Sequence, residues 1–324
     1  MGEKRNSYNA IRRTMKASSD RNMTNRIPIL VDTDPGVDDF FCIALACAFP
    51  ELFDVKAICT IGGNNTTDVT TANALNILKL LEREDIPVAR GADSYLTEEF
   101  SEPVEKFHGR NGLGNVEIPA ADRTADPLPA YEKIYQVAKE CNGELIVVTV
   151  GPETNLALAF EKHPDLSSLI KKIVVMGGTT DKGNVTEYAE ANIWHDAPAA
   201  KIVFESGVPI DMIGLNVTRQ APLRQEIFDG IVEVREDVKE VMSGLINFRN
   251  EEAMHDSIAF ASLLNDKIFT WLDAYTYVIA DHSEHHGQTV IEEDKERLNS
   301  RVAIGIDTEA YYRVMKDMIR RYTK

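Results

Sequence analysis

Four carboxylates fall within a short stretch near the start of the chain, PILVDTDPGVDDFF over residues 28–41. They are Asp32, Asp34, Asp38 and Asp39, and an apolar run lies on each side of them. Carboxylates this close repel one another, and burial at the edge of a core would strengthen the repulsion. Hard divalent cations such as Ca²⁺ or Mg²⁺ take several carboxylate oxygens as ligands. The cluster therefore predicts a metal site.

The same stretch has a simpler interpretation as the start of a helix. Asp34 would be the N-cap, Pro35 would occupy the first helical position, and the helix dipole would favour acids in the first turn. This accounts for one or two of the acids. It does not account for four at the end of a buried strand.

Two further segments carry side chains suited to chemistry. MHDSIAF supplies Asp256 as a fifth acid and His255, whose ordinary pKa near neutrality suits a proton donor. GNVTEYAEAN supplies Asn184, Glu190 and Asn192, an amide and carboxylate set suited to the hydroxyl groups of a polyol such as a sugar. The plain alternatives are a structural His–Asp hydrogen bond and a solvated loop.

Composition limits the classes of partner. The 324 residues are 44% hydrophobic and carry a net charge of −17, which argues against a nucleic acid or an anionic membrane as partner. No run of about 18 apolar residues predicts a transmembrane helix. The four cysteines form no CxxC and are expected to be small buried side chains in a reducing compartment. Residues 1–26 are predicted to be a basic extension, separate from a single domain over 27–324.

The elements that must position these side chains alternate along the chain. The strands are predicted at IPILVD, FDVKAICT, IPVARG, ELIVVTV, IKKIVVMGG, PIDMIGL, YTYVIA and GQTVI, with helices between most of them. This order predicts an α/β fold, an open and mostly parallel sheet with helices on both faces. In such sheets, ligands bind at the C-terminal ends of the strands. The polar segments DTDPGVDD, IGGNN, GPETN and the loop after IVVMGG each follow a strand, so we expect them to meet there.

The motifs together resemble those of the nucleoside hydrolases, the inosine–uridine-preferring nucleoside N-ribohydrolase family. The resemblance covers about residues 27–324 and rests on DTDPGVDD, GGNN, HGRNGLG, VGPETN, GNVTEYAEAN and HD, in that order. It implies a Rossmann-like nucleoside hydrolase fold. It also implies an enzyme that hydrolyses the N-glycosidic bond of ribonucleosides to free base and ribose, in purine and pyrimidine salvage.

The resemblance also implies roles for particular residues. Asp34 matches the general base, which activates a water bound to Ca²⁺. The implied ligands of that Ca²⁺ are Asp34, Asp39, Asp256 and the backbone carbonyl of Val150.

Other matching positions concern the substrate. Those implied to contact the ribose hydroxyls are Asp38, Asn64, Asn184, Glu190, Asn192 and Asp256. His108 and His255 match the histidines near the base, and Asp32 matches a supporting residue behind the loop. Ala191 stands where relatives often carry Phe, so the preferred base stays open, as does any stacking by Trp194 or Trp271.

Two rival functions remain. A phosphatase of the haloacid dehalogenase type also begins with DxD after a strand, but Pro35-Gly36 follows here and no Gly-Asp dipeptide occurs in the chain. The other is a Ca²⁺-dependent ribose- or nucleoside-binding protein without turnover. By analogy with the family, we expect a cytoplasmic homodimer or homotetramer with a small-molecule ribonucleoside as its partner.

Overall fold

A computed structural model describes residues 26–97, 99–100, 103–228 and 234–323. The predicted N-terminal extension therefore lies outside the described residues, except for Arg26. The strands are β1 (Ile27–Thr33), β2 (Phe53–Thr60), β3 (Val88–Arg90), β4 (Leu145–Thr149), β5 (Ile170–Met176), β6 (Ile210–Ile213), β7 (Phe269–Val278), β8 (Thr289–Glu292) and β9 (Ser300–Ile306).

Helices occupy most of the connections between these strands. The α-helices are α1 (Val37–Ala48), α2 (Thr67–Leu80), α3 (Glu105–His108), α4 (Ala130–Cys141), α5 (Thr154–Lys162), α6 (Ala191–His195), α7 (Ala197–Phe204), α8 (Leu215–Thr218), α9 (Glu236–Phe248), α10 (His255–Leu264) and α11 (Thr308–Ile319). Short 3₁₀ turns lie at Leu166–Ser168, Gln225–Phe228 and Asp266–Ile268.

The nine strands form one sheet in the order β3-β2-β1-β4-β5-β6-β9-β7-β8. In this spatial order, the six pairings that join the strands from β3 across to β9 are parallel. The pairings of β7 with β9 and with β8 are antiparallel and form the edge of the sheet. The strand order reverses at β1, which pairs with β2 on one side and with β4 on the other. A crevice opens at such a switch point, beyond the C-terminal ends of the strands.

Buried side chains on the two faces of the sheet belong to separate core clusters. Ile29 and Val31 of β1 face the cluster that contains α1, α9, α10 and α11. Leu30 faces the opposite cluster, which contains α4, α5 and α7. Because neighbouring residues of a strand point to opposite faces, continuous apolar runs such as IPILV are what a sheet covered on both sides requires. The predicted α/β class, with a mostly parallel sheet and helices on both faces, is confirmed.

One strand was missing from the sequence prediction. SRVAIGI forms β9, which lies inside the sheet between β6 and β7. Its burial is mixed, because Arg301 and Gly305 are half-buried and Ile304 is exposed, so it has neither a continuous buried run nor a clean alternation. β7 also begins at Phe269, several residues before the predicted YTYVIA.

No helix in the described residues is both long and apolar enough to cross a membrane. Cys42, Cys47 and Cys59 are buried, Cys141 is half-buried, and none of the four forms a disulfide.

Candidate active site

Asp34 follows β1 and is 2% exposed. Its Oδ2 atom accepts a hydrogen bond from the backbone N–H of Asn64 at 2.7 Å. Its buried Oδ1 atom has no hydrogen-bond partner among the described residues. Gly63 and Gly151 pack closely against the two oxygens of this carboxylate. A Cβ atom on Gly63 would lie 2.3 Å from Oδ2, and a Cβ atom on Gly151 would lie 2.7 Å from Oδ1. The turns after β2 and β4 thus hold Asp34 in one orientation with one oxygen unpaired.

Asp39 lies in the first turn of α1 and is fully buried. Its Oδ2 atom accepts hydrogen bonds from the Gly36 N–H at 2.8 Å and from the Asn64 side-chain amide at 3.0 Å, and the Thr33 hydroxyl donates to Oδ1. The N-cap of α1 is Gly36, so the interpretation of Asp34 as the N-cap is wrong. Asn64 contacts both Asp34 and Asp39 and therefore fixes their separation.

Asp38, Asp39 and Asp256 are a compact acidic group, with one oxygen of each within 4.8 Å of the others. All three side chains are buried. Burial and then the charges of Asp38, Asp39 and Asp34 raise the pKa of Asp256 well above its usual value. Burial and the Asp38 charge raise the pKa of Asp39 to about 7. The carboxylates of this group repel one another when they are ionised, and a bound cation would offset that repulsion.

Asp34 stands beside this compact group. Burial, followed by the charge of Asp39, raises the pKa of Asp34 well above its usual value. The Oδ1 atom of Asp38 is, like that of Asp34, buried without a hydrogen-bond partner. The compact group consists of Asp38, Asp39 and Asp256. The family resemblance instead implies Asp34, together with Asp39 and Asp256, as the carboxylate ligands. The role of Asp34 as a ligand stays a prediction.

His108 ends the short helix α3 and is 7% exposed. Its Nδ1 atom accepts the Val37 N–H at 3.2 Å and lies 4.0 Å from Oδ1 of Asp38. Burial lowers the pKa of His108 to about 4, so its ring is neutral near pH 7. Since Nδ1 accepts a hydrogen bond, the ring proton is on Nε2.

His255 begins α10, directly before Asp256. Its Nδ1 atom lies 2.7 Å from the Thr218 hydroxyl. Burial lowers the pKa of His255 to about 4, against the opposite effect of Asp38. The charge of Asp38 thus acts on both of the histidines that the family resemblance implies to lie near the base.

The loop between β5 and α6 brings the remaining predicted residues to the same strand ends. The Glu190 carboxylate accepts the N–H groups of Asn192, Ile193 and Gly178, and burial raises its pKa to about 7. The Asn192 amide donates to the carbonyls of Val150 and Met176 at 3.0 and 3.1 Å.

Asn184 is exposed on this loop and accepts the Ala191 N–H at 2.9 Å. Among the predicted ribose contacts, Glu190 and Asn184 therefore also organise the backbone of the loop. The Val150 carbonyl, predicted to be a metal ligand, already accepts one hydrogen bond and has a second lone pair.

Several residues of this region were not identified from the sequence. Thr33 orients Asp39, and the Asn73 amide donates to the carbonyl of Pro35 at 3.0 Å. Arg249, 8% exposed, acts electrostatically on Asp38 and on both histidines. A lone arginine at the end of a helix belongs to no motif, so no sequence pattern marks it.

Trp271 packs against the core, with Arg301 over its ring at 4.5 Å.

Comparison with known proteins identifies the family of the chain. Residues 29–313 match the family model of the inosine-uridine preferring nucleoside hydrolases. The pyrimidine-specific ribonucleoside hydrolase RihA of Escherichia coli O8 (strain IAI1) is 35% identical over 310 residues, which cover 91% of this chain and 99% of that protein.

Solved structures agree with this relationship. The plant nucleoside hydrolase PpNRh1 superposes with a TM-score of 0.84 at 30% identity, covering 90% of this chain and 98% of that chain. A purine-preferring ribonucleoside hydrolase from Gardnerella vaginalis gives a TM-score of 0.83 at 31% identity with the same two coverages. The chain therefore belongs to the family of inosine-uridine preferring nucleoside hydrolases and is a nucleoside N-ribohydrolase.

Proposed function

We propose that this enzyme hydrolyses ribonucleosides to free base and ribose, with Asp34 as the general base that takes a proton from the attacking water. The observation that carries the proposal is the Asp34 carboxylate, which is buried and has one oxygen fixed by Asn64 and the other unpaired. A general base needs a fixed orientation and a free oxygen pointing at its proton. The raised pKa of Asp34 also makes its carboxylate a stronger base once ionised.

The chemistry of the donor set fits a Ca²⁺ ion. Buried carboxylates in a compact group, with unpaired oxygens on Asp34 and Asp38, are the hard ligands that Ca²⁺ prefers. We propose Asp34, Asp39, Asp256 and the Val150 carbonyl as the residues that hold it. When bound, the ion would offset the repulsion between the carboxylates and supply a Lewis-acid charge beside the reacting water.

We propose that the remaining predicted residues bind the ribose of the substrate. We propose that Asp38, Asn64 and Asn192 hold its secondary hydroxyls, together with Asp256, and that Asn184 and Glu190 hold the 5′-hydroxyl. Cleavage of the N-glycosidic bond builds positive charge on the ribose, as in other glycoside hydrolysis. The surrounding carboxylates would stabilise that charge.

His108 and His255 are proposed to assist the departing base. The Nε2–H group of His108 is the one left to donate, because its Nδ1 atom is occupied by Val37. The relatives point to different bases: RihA is named pyrimidine-specific, and the Gardnerella enzyme is named purine-preferring. We therefore propose both purine and pyrimidine ribonucleosides as substrates, a role in nucleoside salvage in the cytoplasm, and assembly as a homodimer or homotetramer.

The Asp34→Ala variant tests the central assignment. We expect kcat on uridine and inosine to fall by about 10³-fold or more, because both the base and a charge beside the ribose are lost. Release of reducing sugar measures turnover, and equilibrium dialysis with labelled nucleoside measures binding. The matched control is Asp122→Ala, which removes an aspartate that is 89% exposed and paired with Lys79.

The outcomes separate the possible functions. Near wild-type turnover by Asp34→Ala would reject the assignment of the base. A wild-type protein that binds nucleosides with Ca²⁺ and releases no sugar would instead be the binding protein considered above.

A further inference from the structure

Arg249 is a buried cation at the C-terminal end of α9, where it is the C-cap residue. It is 8% exposed, although arginines are among the residues least often buried. Its NH1 group donates to the Phe107 carbonyl at 3.4 Å, its guanidinium lies 5.6 Å from the Phe107 ring centroid, and NH2 pairs with Glu252 at 3.1 Å. Arg249 thus contacts the residue directly before His108.

The Nε–H group of this guanidinium takes part in none of these contacts. The Nε atom is buried and has no hydrogen-bond partner among the described residues. A buried donor without a partner is unfavourable, because it has lost its hydrogen bonds to water and has gained none in return. Such a group in a protein calls for an explanation, and an unseen hydrogen-bond acceptor is one.

The charge of Arg249 reaches the residues of the active site. Arg249 contacts Phe107, and the next residue, His108, has its Nδ1 atom 4.0 Å from Oδ1 of Asp38. The charge of Arg249 opposes protonation of His108 and His255. A guanidinium is positively charged at every physiological pH, whereas an imidazole is charged only when protonated. Arg249 is therefore a permanent positive charge on the side of the site where both histidines lie.

A positive charge on the leaving-group side would favour hydrolysis of a nucleoside. The bond between C1′ and the base nitrogen breaks, and its electron pair stays on the base. The water oxygen bonds to C1′, and its proton passes to Asp34. The base is left with a negative charge, spread over its ring nitrogens and carbonyl oxygens, until it gains a proton.

We infer that Arg249 is a catalytic residue that stabilises the negative charge developing on the departing base, with its Nε–H group as the donor. The inference rests on the proposed hydrolysis and extends it. Charge-assisted hydrogen bonds to an anion are about twice as strong as neutral ones, and a site closed to water strengthens them further. Substrates whose bases carry carbonyl oxygens, such as uridine and inosine, are the class that benefits most.

The test compares leaving groups in the Arg249→Met and Arg249→Lys variants. The substrates are uridine, inosine and a series of substituted phenyl ribosides that ends with p-nitrophenyl riboside, whose anion leaves without help. For Arg249→Met we expect kcat to fall about 100-fold on uridine and inosine, the loss typical of removing one donor to a developing anion. The fall on p-nitrophenyl riboside should be only a few-fold, and Arg249→Lys should recover part of the loss.

The decisive quantity is the slope of log kcat against the basicity of the leaving group. A steeper slope for Arg249→Met supports the inference, and an equal loss on every substrate overturns it, because a structural role would lower all rates together. The matched control is Arg235→Met, since Arg235 is the N-cap of the same helix and pairs with Glu82 and Asp237. It should leave the slope unchanged.

Two further measurements keep the result interpretable. Thermal unfolding of each variant identifies any that fails to fold, and Arg249→Lys then supplies the comparison. Failure of the proposed function itself would look different, since the wild-type enzyme would then release no ribose from uridine or inosine. A wild-type enzyme that turns over nucleosides, with parallel lines for wild type and Arg249→Met, rejects the role of Arg249 alone.

Discussion

Asn64 has an unusual position among the residues of the site, because it touches two carboxylates at once. Its backbone N–H holds one oxygen of Asp34, and its side-chain amide donates to Asp39 at 3.0 Å and to the Asp34 carbonyl at 3.1 Å. The family resemblance implies contact with the 3′-hydroxyl for this residue. The hydrogen bonds add a second role, which is to hold the two acids at a fixed separation against their mutual repulsion.

The Asn64→Ala variant should therefore weaken both catalysis and Ca²⁺ binding. Loss of a residue that orients metal ligands typically costs about 10–100-fold in affinity or activity. Calorimetric titration with Ca²⁺ and steady-state turnover of uridine measure the two effects. Asn76→Ala is the control, because Asn76 accepts a backbone hydrogen bond from Ala121. If Asn64→Ala loses turnover with unchanged Ca²⁺ affinity, its role is confined to the substrate.

At the scale of elements, the turns after β2 and β4 shape the site as much as its acids do. Gly151 follows β4 and leaves no room for a side chain beside Asp34. A Cβ atom there would lie 2.7 Å from Oδ1 and 3.1 Å from the backbone nitrogen of Asp34. The absence of a side chain lets the two strand ends approach each other.

The Gly151→Ala variant should lose activity while keeping its fold. We expect kcat to fall at least 10-fold, since a displacement of about 1 Å in a catalytic group costs that much or more. Turnover of uridine and the midpoint of thermal unfolding are the two measurements. Gly305→Ala is the control, because its Cβ atom would meet Thr270 only at 3.4 Å. Wild-type turnover by Gly151→Ala would mean that Asp34 can shift without penalty.

The sequence predicts the elements that bear the site better than it predicts the strand β9. The strands β1, β4 and β5 contain continuous apolar runs, and a polar loop follows each of them, so the apolar pattern and its order predict them. β9 has exposed positions and a glycine, and only its neighbours β6 and β7 make it a strand. Asp34 and Asp256 were identified because they belong to motifs. Arg249 belongs to none, and its importance comes from tertiary proximity that spacing along the chain does not encode.

For the whole molecule, the acidic site links stability to pH and to metal. Burial, with nearby charges, raises the pKa of Asp39 to about 7 and that of Asp256 well above 3.8, its usual value. Between about pH 4 and pH 7 the folded metal-free protein thus binds more protons at these groups than the unfolded chain does. The contribution of these acids to stability therefore falls as the pH rises through this window, because the folded state loses protons that the unfolded state has already lost.

A bound Ca²⁺ ion would offset this loss of stability, since it favours the ionised carboxylates. We therefore expect the difference in unfolding midpoint between protein in Ca²⁺ and protein in EDTA to widen from pH 5.5 to pH 8. Each unit of pKa shift corresponds to about 1.4 kcal/mol, so a widening of several degrees is expected. Differential scanning fluorimetry measures it. Asp39→Asn should narrow the difference at pH 8, whereas Asp122→Asn, at an exposed position, should not. A difference that stays constant with pH would show that the acidic group binds no Ca²⁺ in the folded protein.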